Sequence, residues 1–135
     1  MRGTTALIAL FCVAAGAGCG RTTHEALLMQ QASAYHKDIR WMRLGEASAR
    51  ITPAQREKFL DAYRDRTETL QLEDYMVDAI LYPQPGEAGY AAEPTLATLK
   101  VHRFEVESPE VTRRKVNLTE KWWFLDGAWY LRSGY

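Results

Sequence analysis

From His24 onward the apolar positions first recur with helical spacing. Leu28, Ala32, Tyr35, Ile39 and Met42 follow one another at intervals of four and three, which lines them along one face of a helix. Thr22-Thr23-His24-Glu25, a threonine with a glutamate three residues later, reads as the capping box that starts it. Gly45 is the expected C-cap, and Trp41 falls on the edge of the apolar face. A second start follows at Thr52-Pro53-Ala54-Gln55, with an N-cap threonine, proline at the first helical position and a capping-box glutamine. Phe59, Leu60 and Tyr63 give this second helix one apolar side, and it should fray by about Thr69.

The period then drops from helical to alternating. Tyr75, Val77, Ala79 and Leu81 alternate with Met76, Asp78 and Ile80, which predicts a strand with one wholly apolar face. Pro83-Gln84-Pro85-Gly86 breaks it, and the stretch to Pro94 reads as a loop. Ala97, Leu99 and Val101 open a second strand; the apolar phase then moves to Phe104 and Val106, which predicts a bulge near His102-Arg103. After a turn at Ser108-Pro109-Glu110, a third strand runs from Val111 to Phe124 with Val116, Leu118, Trp122 and Phe124 on one face. Asp126-Gly127 is a hairpin signal, and Ala128 to Ser133 is the closing strand with Trp129 and Leu131 facing inward. Helices followed by strands predict an α+β fold: two N-terminal helices packed on a curved four-stranded antiparallel sheet, in a single domain over 24–135.

Ahead of the domain the pattern is that of an export leader. Arg2 is followed by the apolar run Ala6 to Ala15 and then by small residues, with no further charge before Arg21. The run is too short for a membrane-spanning helix, which needs roughly 20 apolar residues. Two exits are open. Ala15-Gly16-Ala17 fits the small-x-small site of ordinary signal peptidase. Gly16-Ala17-Gly18-Cys19 resembles the lipobox of bacterial lipoproteins, although Gly16 stands where lipoboxes carry leucine. That resemblance implies a signal peptide over 1–18, diacylglycerol on the Cys19 thiol, and further acylation, such as palmitate, at the new N-terminus. Cysteine usage favours it: Cys12 leaves with the leader, so Cys19 would be a lone thiol in an oxidising compartment unless lipidation employs it. The expected address is the bacterial cell envelope, at the periplasmic face of the outer membrane, with secretion to the periplasm as the alternative. Residues 19–23 would form a short tether.

Charge narrows the partners. Lys and Arg total 17 and Asp and Glu total 17 in 135 residues, so nothing calls for nucleic acid. Arg113-Arg114-Lys115 is a basic run within a strand; it reads as a solvated edge that discourages edge pairing, with an anionic headgroup contact as the alternative.

The ending Trp122-Trp123-Phe124-Leu125-Asp126-Gly127-Ala128-Trp129-Tyr130-Leu131 resembles that of the NTF2-like superfamily, in which N-terminal helices pack into a curved sheet to form a cone. The stretch from Ile39-Arg40-Trp41 to Ile51-Thr52-Pro53, with the closing Trp129-Tyr130-Leu131-Arg132-Ser133-Gly134, is similar to small uncharacterised proteobacterial envelope lipoproteins with an NTF2-like domain. The resemblance implies a cone-shaped domain; it carries no activity, because that superfamily hosts enzymes, binders and assembly modules.

Few residues suggest chemistry. His24, His36 and His102 lack metal-ligand spacing, and His36 is expected at a helix flank. No phosphate loop or serine-nucleophile elbow is present, so no cofactor and no metal is expected. Glu120 falls in register with Val116, Leu118, Trp122 and Phe124. Pointed into the apolar side, it could serve as a general acid or base with Tyr75 or His102. The plainer expectation is a sheet end where it reaches water or an arginine. Asp78 alternates toward solvent. The leading expectation is a non-enzymatic binding or assembly module held near a membrane by Cys19, touching a membrane-proximal protein or a small ligand. The alternative is a small-molecule binder or pocket enzyme built on Glu120.

Overall fold

The computed structural model describes residues 23–135; the expected leader, both candidate cleavage sites and Cys19 lie outside them. Helix α1 runs His24–Arg40, with Thr23 as N-cap accepting from the Ala26 amide. The cap is thus Thr23 rather than a Thr22–Glu25 box. Leu28, Ala32, Tyr35 and Ile39 are buried as their spacing requires. The helix stops before Gly45: Trp41 is its C-cap, and Met42 turns the chain with φ 52°. Gly45 instead sits inside a short helix, α2, Leu44–Ser48. One buried carboxylate organises this corner. Asp38 accepts from Arg43 Nε and NH2 and also pairs with Arg50, so the charge gained locally outweighs continuation of the helix. Pro53–Gln55 forms a 3₁₀ turn leading into α3, Arg56–Arg64, whose Phe59 and Tyr63 are buried.

Four strands follow: β1 Leu70–Leu81, β2 Leu96–Glu107, β3 Thr112–Leu125 and β4 Ala128–Ser133. They form one antiparallel sheet in the order β1-β2-β3-β4. Among the described residues the protein is therefore α+β, with three α-helices rather than two.

The bulges lie elsewhere than the apolar pattern predicts. β2 pairs with β3 without interruption from Leu96–Trp123 to Glu107–Thr112. The register slips fall on β1 instead, between Leu72 and Asp74 and between Val77 and Ala79. On β2 the inward set is Ala97, Leu99, Val101, Arg103 and Glu105, so polar side chains hold the core phase where the apolar pattern seemed to shift. On β1 the second bulge brings Ile80 against the core and turns Leu81 to solvent, which reverses the expected faces at that end. Such bulges deepen local twist, and between them Tyr75 meets His36 of α1.

The core lies between the helices and one sheet face, around Trp122, Trp129, Tyr35, Tyr63 and Phe59. β4 is covered at its outer edge: Leu131 N–H donates to the Arg50 carbonyl and Thr52 N–H donates to the Leu131 carbonyl. Gly134, at φ +93°, crosses the Thr119 carbonyl so closely that a Cβ there would overlap it. This contact lets Tyr135 fold back onto Phe59 and gives the closing Ser-Gly pair a structural reason.

Candidate functional site

The residues with chemical potential collect in the core, on the inner sheet face. Glu120 on β3 is opposite Leu99 and fully buried. It reaches neither water nor an arginine, contrary to the plainer expectation. Its Oε2 accepts from the Trp122 indole N–H at 2.9 Å, two residues along the same face. Its Oε1 lies 2.8 Å from His36 Nε2, a close polar contact outside hydrogen-bond alignment. His36 is therefore not at the flank of α1: it is buried, with its ring stacked on Tyr75 at 4.3 Å. Helical spacing could not place it, because His36 follows Tyr35 and the two share one broad buried face.

A second buried pair continues the array. Arg103 on β2 donates from Nε to Glu105 Oε1 at 2.8 Å and from NH1 to the Tyr63 hydroxyl at 2.8 Å. Burial opposes the Arg103 charge, but Tyr63 and Glu105 outweigh it and leave the guanidinium pKa raised. Tyr35 lies between the two pairs with its hydroxyl buried and unpartnered. Burial above all, then Tyr63 and Glu120, pushes its phenol pKa well above the ordinary 10.

The orphan hydroxyl makes a direct prediction. Tyr35→Phe removes a desolvated, unbonded group and should stabilise the domain by about 1 kcal/mol at neutral pH. Because the folded pKa is raised, Tyr35 adds no pH dependence to stability below pH 10, and stability falls as pH climbs from that ordinary value toward the raised one. Urea unfolding at neutral and alkaline pH should show a shallower alkaline loss in Tyr35→Phe than in the parent. A destabilised variant at neutral pH would mean the hydroxyl has a partner.

Of the residues singled out for a pocket, the structure joins two and separates the third. Tyr75 meets Glu120 through the His36 ring. His102 is on the opposite sheet face, where its Nδ1 lies 2.8 Å from both oxygens of Asp78. Asp78, set in the second β1 bulge, is half-exposed as expected, but it is engaged by His102. His24 is at the start of α1, stacked on Phe124 at 3.8 Å, with Nδ1 2.7 Å from the Pro94 carbonyl. The two arginines of the basic run are paired, and Lys115 is exposed. Arg113 meets Glu73 and covers Phe104, while Arg114 bonds Glu107 at 3.0 Å. The arginine bonds, Arg66 first, hold the Glu107 carboxyl below its usual range.

Space decides what this array can do. The cavity touching His36, Tyr75 and Arg103 measures about 10 Å3, the room of roughly one water. The larger hollows are open grooves. One of about 590 Å3 lies between Arg40-Trp41-Met42 and the first residues of β1. Another of about 330 Å3 lies at the opposite end, between the β1–β2 loop and Trp123. Among the described residues no cluster of three or more His, Cys, Asp or Glu side chains is arranged to hold a metal ion.

No family model and no curated protein matches the chain. Two solved structures resemble it. One is a SEC-C motif containing protein from Rhodopseudomonas palustris, known in solution, at 16% identity over 84% of this chain and 78% of that one, with a TM-score of 0.56. The other is the intermembrane space region of the chloroplast protein ARC6, at 13% identity over 80% of this chain and 92% of that region, with a TM-score of 0.50. At these identities the likeness is one of fold, and it supports the α+β architecture.

Proposed function

We propose that the protein is a bacterial envelope lipoprotein, acylated on Cys19, whose domain is a non-enzymatic binding or assembly module working close to a membrane. In this reading the domain is a variant of the NTF2-like cone, with helices on the inner face of the curved sheet. The observation that carries the binding role is Trp41. It stands 64% exposed at the end of α1, backed by Arg40, over the 590 Å3 groove beside the start of β1. β1 is an outer strand of the sheet, so its backbone offers bonding groups to an extended segment, and aromatic anchors next to arginine dominate binding energy at interfaces. The partner is a protein within reach of a tethered domain.

Two measurements test this. Mass spectrometry of the membrane fraction should find Cys19 as an acylated N-terminus; a mature chain beginning at Gly18 overturns the lipoprotein reading. A photo-crosslinker at position 41, used in the intact envelope, should capture one discrete protein, and one at Glu57 on α3 should not. Equal or absent capture at both positions overturns the Trp41 surface.

The second reading, a small-molecule binder or pocket enzyme, has the buried Glu120–His36 pair with Tyr75 in its favour. It requires the core to open, because the adjoining space admits no more than about one water. His102 takes no part in it.

A further inference from the structure

We propose that the end of the domain that holds Thr23 rests on the bilayer surface itself, with Tyr90, Leu125 and Leu81 as its lipid-contacting side chains. This rests on the lipoprotein reading above and adds the contact face to it.

The chain enters the domain at the N-cap Thr23, four residues after Cys19, a reach of roughly 13 Å when extended. Whatever holds Cys19 therefore holds this end of the molecule. Three elements converge there. The Trp129 indole N–H donates to the His24 carbonyl at 2.7 Å and the His24 amide donates to Glu93, which ties the start of α1 to β4 and to the β1–β2 loop. His24 stacks on Phe124, next to the β3–β4 hairpin at Leu125–Ala128. The end of β1 and the start of β2 close the same side of the sheet.

Three apolar side chains are left outside at this end: Leu81 at the end of β1 (52% exposed), Tyr90 in the loop (49%) and Leu125 at the hairpin (42%). The loop holds its shape. Gly89, at φ +83°, lies so close to the Leu96 side chain that a Cβ would overlap it, which presses the loop onto β2 beneath Tyr90. Tyrosine is favoured at the headgroup level, where its ring is apolar and its hydroxyl wet. Two carboxylates on this end are engaged, Glu93 by the His24 amide at 3.0 Å and Glu87 by the Gln84 amide at 2.7 Å, while Glu25 and Asp126 are exposed. The basic run is at the other end of the sheet with its arginines paired to acids. Glu25 and Asp126, exposed on this end, repel anionic headgroups, so the surface it fits is zwitterionic.

Exposed apolar groups at the other end, Trp41 and Val111, are kept away by geometry. The seventeen residues of α1 separate Trp41 from Thr23 by about 25 Å. A weak contact suffices at the near end, because the anchor makes it intramolecular.

The experiment uses the full chain, processed and acylated in a bacterium and reconstituted in phosphatidylethanolamine–phosphatidylcholine vesicles. An environment-sensitive fluorophore is placed on Tyr90→Cys, Leu125→Cys or Val111→Cys. Labels at 90 and 125 should shift to the blue and be quenched several-fold by headgroup nitroxide lipid, while the label at 111 stays aqueous. Aqueous labels at 90 and 125 on a chain whose Cys19 is acylated overturn the contact and leave the lipoprotein reading standing. Equal quenching at 111 overturns the orientation. An unacylated Cys19 overturns both.

Discussion

Glu120→Ala should cost about 3–5 kcal/mol, because it leaves His36 and the Trp122 indole N–H buried without their carboxylate. His36→Ala should cost a similar amount, through the stranded acid and the lost stack on Tyr75. The two losses should not add. A Glu120→Met, His36→Phe double variant removes both polar partners together and should recover most of the loss, since a well-packed apolar pair replaces a buried polar one at little cost. A double-mutant cycle of Glu120→Met, His36→Phe and their combination, read by urea unfolding, should show this as a coupling larger than either single loss. The sign also separates the two functional readings. Catalytic acids held in an apolar site burden stability, and their removal commonly stabilises a protein. A Glu120→Ala variant more stable than the parent would falsify the structural role and favour the pocket enzyme.

Arg103→Met is the second large effect. Arg103 is the close partner of Glu105, which is itself buried; the other cations near that carboxylate, Arg114 and Arg66, stand at 3.4 and 3.6 Å. Methionine keeps the side-chain volume but takes the closest partner from Glu105, leaving it the two longer arginine contacts, and strands the Tyr63 hydroxyl, a loss of about 2–3 kcal/mol. Arg103→Lys should recover little of it, because a single ammonium cannot fork to both acceptors. Pairing Arg103→Met with Glu105→Leu should restore a large part. Thermal unfolding of the three variants checks the order, and a lysine variant as stable as the parent would show that charge rather than fork geometry matters here.

Both predictions concern residues that the pattern of apolar positions handled least well. The succession of helices and strands, the β3–β4 hairpin and the inward face of α1 were legible because their periodicity is strong and their punctuation local: Asp126-Gly127 and Pro83 to Pro94. Arg103 and Glu105 were misread as a phase shift. Alternation counts apolar residues, and a buried ion pair carries the correct phase with the wrong chemistry. The β1 bulges left no such trace, since Tyr75, Val77, Ala79 and Leu81 alternate cleanly while the chain slips between Val77 and Ala79. His36 was missed because its partner lies 84 positions away on β3, and nothing in its neighbourhood announces a carboxylate. Glu120 itself was visible from its register alone, and the structure supplies the two partners that let it stay buried.

By itself, the amino-acid sequence determined the local features of this protein: an apolar run ahead of Cys19, helices before strands, turn positions, and tryptophans that close a hairpin. Each depends on residues within a few positions of one another, where propensity and period act directly. Tertiary structure decided which polar groups are partners. Glu120 met His36 rather than His102 because side chains three positions apart on β2 face opposite sides of the sheet, so Leu99 shares the face of Glu120 and His102 does not. Folding likewise gathered the start of α1, the β1–β2 loop and the hairpin at one end of the domain. That convergence depends on contacts about a hundred residues apart, such as Trp129 with His24, which no local pattern encodes.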